Sequence, residues 1–227
     1  MEINQVNLKT RNIKEMKAFY TKTLGLPLTN ESEDSFRIAV GSSQLEFTEK
    51  NVEGEPYYHF AFNIQSNKFN EAKSWVKEKV SLNVEDGEDE ADFSHLPAHS
   101  LYFYDPAGNV VEFISRHSIS KFGKEPFSQK GILNISEISF TVDDAITTGQ
   151  RLIEIGIRER NNYPLSTTSI NFMGEHSTGV FILLTQPGRR WIFSDKISAV
   201  FPIDIILSNG DRITLDDKNE LIITQNN

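Results

Sequence analysis

The sequence predicts an α+β fold assembled from repeated β-α-β-β-β units. Three short strands begin alike and carry a metal-ligand residue type at one offset: Gln5 in Ile3-Asn4-Gln5-Val6-Asn7-Leu8, His59 in Tyr57-Tyr58-His59-Phe60-Ala61-Phe62, and Glu137 in Ile135-Ser136-Glu137-Ile138-Ser139-Phe140. Each strand is followed by a helix-period segment and then by short alternating strands, and a repeat of this kind decides the fold before any single element does. Turn signals separate the strands, most clearly Asp105-Pro106-Ala107-Gly108 and Asn209-Gly210.

In the first unit, residues 3–9 alternate, with Val6 and Leu8 on one face and Gln5 and Asn7 on the other. A helix follows, with Asn12 as N-cap, Glu15 completing a capping box and Gly25 at the stop. Ile13, Met16, Phe19, Tyr20 and Leu24 form its apolar stripe. Strands are expected near 35–40 and 44–49, with room for one more. The second unit places a strand at 57–64, a helix at 67–80 with Phe69, Ala72, Val76 and Val80 inward, and strands at 99–104 and 109–115. The acidic run Glu85-Asp86-Gly87-Glu88-Asp89-Glu90 reads as a solvated loop. Residues 116–131 read as a linker. The third unit carries a strand at 135–142, a helix at 144–155 stopped at Gly156, and strands at 168–173 and 179–185. After the Pro187-Gly188 break, a hairpin turns at Asn209-Gly210 between 203–207 and 213–215. The domain reading is therefore 1–116 as two modules, 117–131 as linker, and 132–227 as a diverged partial domain with a C-terminal hairpin.

Composition narrows the function. The 227 residues are 38% hydrophobic and 24% charged, as in a globular protein with an ample core. The absence of cysteine removes disulfides, thiolate metal sites and Cys nucleophiles together. A net charge of −9 disfavours nucleic acid as a partner. No membrane span, P-loop, dinucleotide fingerprint or nucleophile elbow is visible. Met1-Glu2-Ile3-Asn4 lacks a basic region followed by an apolar run, so a cytoplasmic location is expected.

The closing strands of the units also align. Gln44-Leu45-Glu46-Phe47, Val110-Val111-Glu112-Phe113 and Phe181-Ile182-Leu183-Leu184 place Glu46, Glu112 and Leu183 at one position. By alternation Gln5, His59 and Glu112 face away from the apolar side of their strands. An O/N donor set without sulfur suits Mn²⁺, Ni²⁺, Co²⁺, Fe²⁺ or Zn²⁺. Glu137 reads as vestigial, because Leu183 removes its partner.

These residues, together with Ala18-Phe19-Tyr20-Thr21-Lys22-Thr23-Leu24-Gly25-Leu26 and Tyr102-Phe103-Tyr104-Asp105-Pro106-Ala107-Gly108-Asn109-Val110-Val111-Glu112-Phe113, resemble the vicinal oxygen chelate superfamily. That group includes glyoxalase I, fosfomycin-resistance thiol transferases, extradiol dioxygenases and bleomycin-binding proteins. The resemblance spans residues 3–116 well and 132–186 weakly. It implies paired βαβββ modules forming a cup-shaped mixed sheet around a metal. It also implies Gln5, Glu46, His59 and Glu112 as metal ligands, in the order of a glyoxalase I-like site, with Glu46 or Glu112 as general base. Gln5 departs from the two-His sets of the thiol transferases and dioxygenases. Tyr102 fits the dioxygenase Tyr, but Phe93 stands where their catalytic His is expected, leaving only His95 or His99 in a shifted loop.

Tyr102 is expected to face the cup and donate to a substrate oxygen. His99, at an odd offset from Tyr102, is expected on the other face. Arg116 is a candidate for an anionic substrate group, and Arg189-Arg190-Trp191 for a lid. The expectation is a glyoxalase-like, metal-dependent lyase or isomerase acting on a small molecule. The alternatives are an Fe/Mn-dependent dioxygenase and a metal-free small-molecule-binding protein. Three units cannot pair evenly within one chain, which suggests a homodimer.

Overall fold

The computed structural model describes residues 1–93 and 96–226. His95 lies outside the described residues. The first module comprises β1 (Ile3–Lys9), α1 (Ile13–Ala18) with a wider π-type turn at Phe19–Thr23, β2 (Leu28–Glu31), β3 (Ser35–Val40) and β4 (Ser43–Thr48). The second comprises β5 (His59–Ile64), α2 (Phe69–Lys77), β6 (Ala91–Phe93), β7 (Ala98–Tyr104) and β8 (Val110–Arg116). The third comprises β9 (Ile132–Thr141), α3 (Ala145–Glu154), β10 (Asn171–Glu175) and β11 (Val180–Thr185). A meander of β12 (Ile203–Leu207), β13 (Arg212–Leu215) and β14 (Leu221–Thr224) completes the chain, adding a strand to the expected hairpin.

The fold is α+β, with βαβββ modules curled into two seven-stranded mixed sheets. One sheet runs β14-β13-β12-β1-β4-β3-β2 and the other β10-β11-β9-β5-β8-β7-β6. The first two modules therefore do not join in one cup. The second module pairs with the third, β5 antiparallel to β9, and the first pairs with the meander, β1 antiparallel to β12. The strand edges that an odd number of modules would leave open are covered within the chain, which removes the reason given for a dimer.

Alternation explains the inner faces. Val6, Leu8 and Phe47 of one sheet, and Phe60, Phe62, Phe113 and Phe140 of the other, are fully buried in a single core cluster with residues of all three helices. This apolar packing is the main force holding the sheets together. At Gly41 (φ 58°) a Cβ would stand 2.0 Å from the Leu133 carbonyl oxygen, so the β3–β4 turn approaches β9 only because no side chain intervenes.

Capping differs between the helices. Asp144 caps α3, its Oδ1 accepting from Ile146 N and Thr147 N at 3.0 Å each. The capping box expected at Asn12 does not form. The Asn12 amide instead donates to the Pro106 carbonyl at 3.0 Å. It thereby ties α1 to the turn of the second module. Tyr20 makes the same connection deeper, donating to Asp105 Oδ2 at 2.7 Å. Burial pushes Asp105 up to about 6 despite its hydrogen bonds from Asn109, Tyr20 and Ala107. The 117–131 segment is fastened to α2, with Phe127 N donating to Glu71 Oε2 at 2.8 Å and Gly123 N to Asn67 Oδ1 at 2.7 Å. No helix among the described residues is long and apolar enough to cross a membrane.

Candidate metal centre

The solvent-side face of the second sheet forms a cup of about 380 Å³. Its floor is set by register. Ala61, at the centre, lies beside Glu112 on β8 and beside Glu137 on β9. His59 stands two residues before Ala61, on the same face of β5. A bulge leaves Ser136 without a partner on β5, because Ala61 faces Glu137 while Phe62 faces Ile135. That extra residue lets Ile135 turn into the core while Glu137 turns into the cup.

The three side chains converge. One ligand atom from each of His59, Glu112 and Glu137 lies within 4.8 Å of the others, and all three residues are buried. His59 Nδ1 is 3.0 Å from the Val110 carbonyl oxygen. A carbonyl only accepts, so Nδ1 carries the proton and Nε2 keeps its lone pair. That lone pair faces Glu112 Oε2 at 3.5 Å. Burial lowers the His59 pKa, opposed by the negative charge of Glu137. Ser100 Oγ donates to Glu112 Oε1 at 2.5 Å. Burial, then the charge of Glu137, pushes Glu112 up to about 8.

Were both ionised, two carboxylates this close would repel by on the order of 3 kcal/mol at an effective dielectric of about 20. Arg116, with its side chain only 8% exposed, donates through Nη2 to Glu137 Oε1. One guanidinium therefore serves two acids. The donor set fits a divalent cation: a neutral imidazole nitrogen and two carboxylates, only one of which has a direct ion pair.

Aromatic residues wall the cup. Tyr102 lies across from Glu112 on β7 and is 1% exposed; burial, then the charge of Glu112, raises its pKa well above the usual phenol value. The segment between β11 and β12 closes the mouth. Trp191 sits over His59 with ring centres 4.8 Å apart, and Phe193 stacks on Tyr102 at 4.9 Å. This strap is held by an ion pair from Arg190 to Glu85, by Phe193 N donating to the same carboxylate, and by Tyr104 Oη donating to Asp195 Oδ1 at 2.6 Å. The acidic run is thus not merely solvated. Glu85 anchors the strap, and Asp89 receives Lys73 at 2.5 Å and Lys77 at 2.8 Å, which hold it down to about 2.

Of the four ligands suggested by the sequence, the structure brings together His59 and Glu112. Gln5 and Glu46 lie on the other sheet. Gln5 Nε2 donates to Asn7 Oδ1 at 2.5 Å, and Glu46 Oε2 receives Arg37 Nε and Nη2 at 2.6 Å each. They are separated from His59 because their module pairs with β12 rather than β5. Glu46 is therefore not placed to act as a base in this cup. Glu137 takes the place expected of them. Its partner is supplied by the second module and not by Leu183 of its own. The signal was present in the sequence, since Glu137 shares the register of Gln5 and His59. His99 faces away from the cup, stacked on His117. A larger groove of about 560 Å³ along α1 is lined by Lys14, Lys17, Glu31 and Glu33 and holds no convergent set.

The family model described as Glyoxalase/Bleomycin resistance protein/Dioxygenase superfamily matches residues 2–113. The metallothiol transferase FosB of Staphylococcus haemolyticus is 31% identical over 115 residues, covering 48% of this chain and 80% of that relative. This chain belongs to the glyoxalase/bleomycin resistance protein/dioxygenase superfamily. The FosB of Staphylococcus epidermidis is 30% identical over 115 residues, with the same coverage. A second family model, Toxoflavin-degrading enzyme, matches residues 135–189, the stretch that begins just before Glu137. Among solved structures, a lactoylglutathione lyase from Agrobacterium tumefaciens superposes with a TM-score of 0.42 and 20% identity, covering 49% of this chain and 90% of that one.

Proposed function

We propose that this superfamily member is a metal-dependent enzyme acting on a small oxygen-bearing molecule in the cup between the second and third modules. The observation that carries the reading is the buried convergence of His59, Glu112 and Glu137. His59 Nε2 and the two carboxylates would hold a divalent ion, which supplies Lewis acidity to neighbouring substrate oxygens when bound. The FosB relatives are named as metallothiol transferases, and the Toxoflavin-degrading family is named for degradation of a small molecule. Both support small-molecule chemistry here.

The reaction type we favour is lyase or isomerase, with a proton moved at the carbon beside a carbonyl. Glu112 is the residue for that transfer: Ser100 holds Oε1, so Oε2 would turn from the ion to take the proton. Tyr102, opposite Glu112, is placed to orient a substrate oxygen. Arg116 keeps Glu137 aimed into the cup, and Trp191 and Phe193 exclude water. A dioxygenase reading is weaker, since the convergent set among the described residues has one His and not two.

The test is solvent exchange. Mn²⁺-loaded protein is incubated in D₂O with a panel of small hydroxyketones and hemithioacetals, with oxygen uptake followed in parallel. Deuterium at the carbon next to the carbonyl, without oxygen uptake and lost in Glu112→Gln, is the expected result. Oxygen uptake without exchange would overturn the lyase/isomerase assignment.

A further inference from the structure

Charge on the cup wall bears on what enters it. Arg160 follows α3 in a bridge to β10, its N–H donating to the Phe172 carbonyl at 2.9 Å. Its guanidinium lies over the Phe172 ring at 3.9 Å and lines the same cup as His59, Glu112 and Glu137. The Phe181 ring lies under both Arg160 and Arg116, at 5.9 and 5.4 Å. Two guanidiniums thus share one aromatic floor. Of the other arginines lining the cup, Arg116 is committed to Glu137 and Arg190 to Glu85, while Arg189 is exposed at the mouth. The Arg160 side chain makes no hydrogen bond or ion pair with the described residues. The acid adjacent in sequence, Glu159, directs its carboxylate to Asn161 N and Tyr163 N at 2.8 and 2.9 Å instead. Arg116 also keeps a buried Nε–H without a partner.

A buried donor without a partner is costly, and the half-buried Arg160 guanidinium presents its donors to the cup with no anion beside them among the described residues. The formal charges agree. Within the cup Glu112 and Glu137 contribute −2 and Arg116 and Arg160 +2, Arg190 is offset by Glu85, and Arg189 at the mouth adds one more, so a bound divalent ion leaves the cup positive. Resting on the metal-centre reading above, we infer that the substrate carries an anionic group, received by Arg160 at the Phe172 wall while its oxygens face the His59–Glu112–Glu137 trio. The substrate class is a small organic acid with a flat or unsaturated body, and Arg160 is the residue that selects it.

Two probes differing only in the anion test this: 3,4-dihydroxybenzoate and catechol, titrated by calorimetry under argon into Mn²⁺-loaded protein. Wild type is expected to bind the carboxylate probe about 10- to 100-fold more tightly, the range of a charge-assisted hydrogen bond. Arg160→Met should abolish that preference, and Arg160→Lys should retain part of it. Equal affinity for the two probes, no binding of either, or a preference that survives Arg160→Met would overturn the inference. Metal content, measured on the same samples, reports separately on the metal-centre reading, since Arg160 is not among the trio.

Discussion

The two sheets carry the same constellation and treat it differently. In the second sheet, Ala61 is flanked by Glu112 and Glu137, with His59 two residues earlier. In the first, Asn7 is flanked by Glu46 and Asp204, with Gln5 two residues earlier. A bulge adjoins each set but on different strands, Asn4 on the central β1 in the first sheet and Ser136 on the flanking β9 in the second. The outcome differs because of the neighbours. Each acid of the first sheet has its own arginine: Arg37 for Glu46, and Arg212 for Asp204 with Nε 2.5 Å from Oδ1. Asn7 occupies the centre and donates to Asp204 Oδ2 at 2.5 Å. In the second sheet Ala61 leaves the centre open and one arginine faces two acids. The two polar sets thus differ in how their carboxylates are paired, each acid of the first sheet with its own arginine and only Glu137 in the second, and in the centre that Ala61 leaves open.

Removing one arginine from each sheet should break the symmetry most sharply. Arg116→Met leaves Glu137 buried without its cation, and should cost about 3–5 kcal/mol in metal-free protein by denaturant unfolding. Tyr20→Phe, which removes a donor from buried Asp105 in the seam between the first and second modules, should cost about 1.5–3 kcal/mol. Arg212→Met in the first sheet should cost only about 1 kcal/mol or less, because its side chain is 56% exposed and Asp204 keeps Asn7 and Thr214. A loss as large as that of Arg116→Met would mean the first sheet depends on its ion pairs after all. The smallest effect is expected of Asp89→Asn, below about 1 kcal/mol at neutral pH. Lys73 and Lys77 depress the Asp89 pKa from 3.8 to about 2. The contribution of Asp89 is therefore present above pH 3.8 and lost as pH falls through about 2, and an acid titration of the variant against wild type checks it.

Much of this fold was legible in the sequence, because its signals are local. Alternation marked β1, β5 and β9, and Asp105-Pro106-Ala107-Gly108 and Asn209-Gly210 marked the turns that Gly108 (φ 79°) and Gly210 (φ 89°) complete. The pairing of modules was not legible. β1, β5 and β9 begin so similarly that nothing local says which joins which, and the choice depends on burial across the whole core. That one non-local fact misplaced Gln5 and Glu46 and hid Glu137. Asp204 was hidden for the same reason, inside the hairpin strand Ile203-Asp204-Ile205-Ile206-Leu207. The capping box failed because Asn12 found a partner across the module seam, at Pro106.

The most direct measurement is metal content by elemental analysis, on protein prepared without chelators, for three forms: wild type, Glu137→Gln, and the double variant Gln5→Ala/Glu46→Gln. The account predicts about one equivalent of divalent transition metal in wild type and in the double variant. It predicts loss of the metal in Glu137→Gln, with the fold kept. Metal retained by Glu137→Gln and lost from the double variant would place the centre in the first sheet and contradict the account.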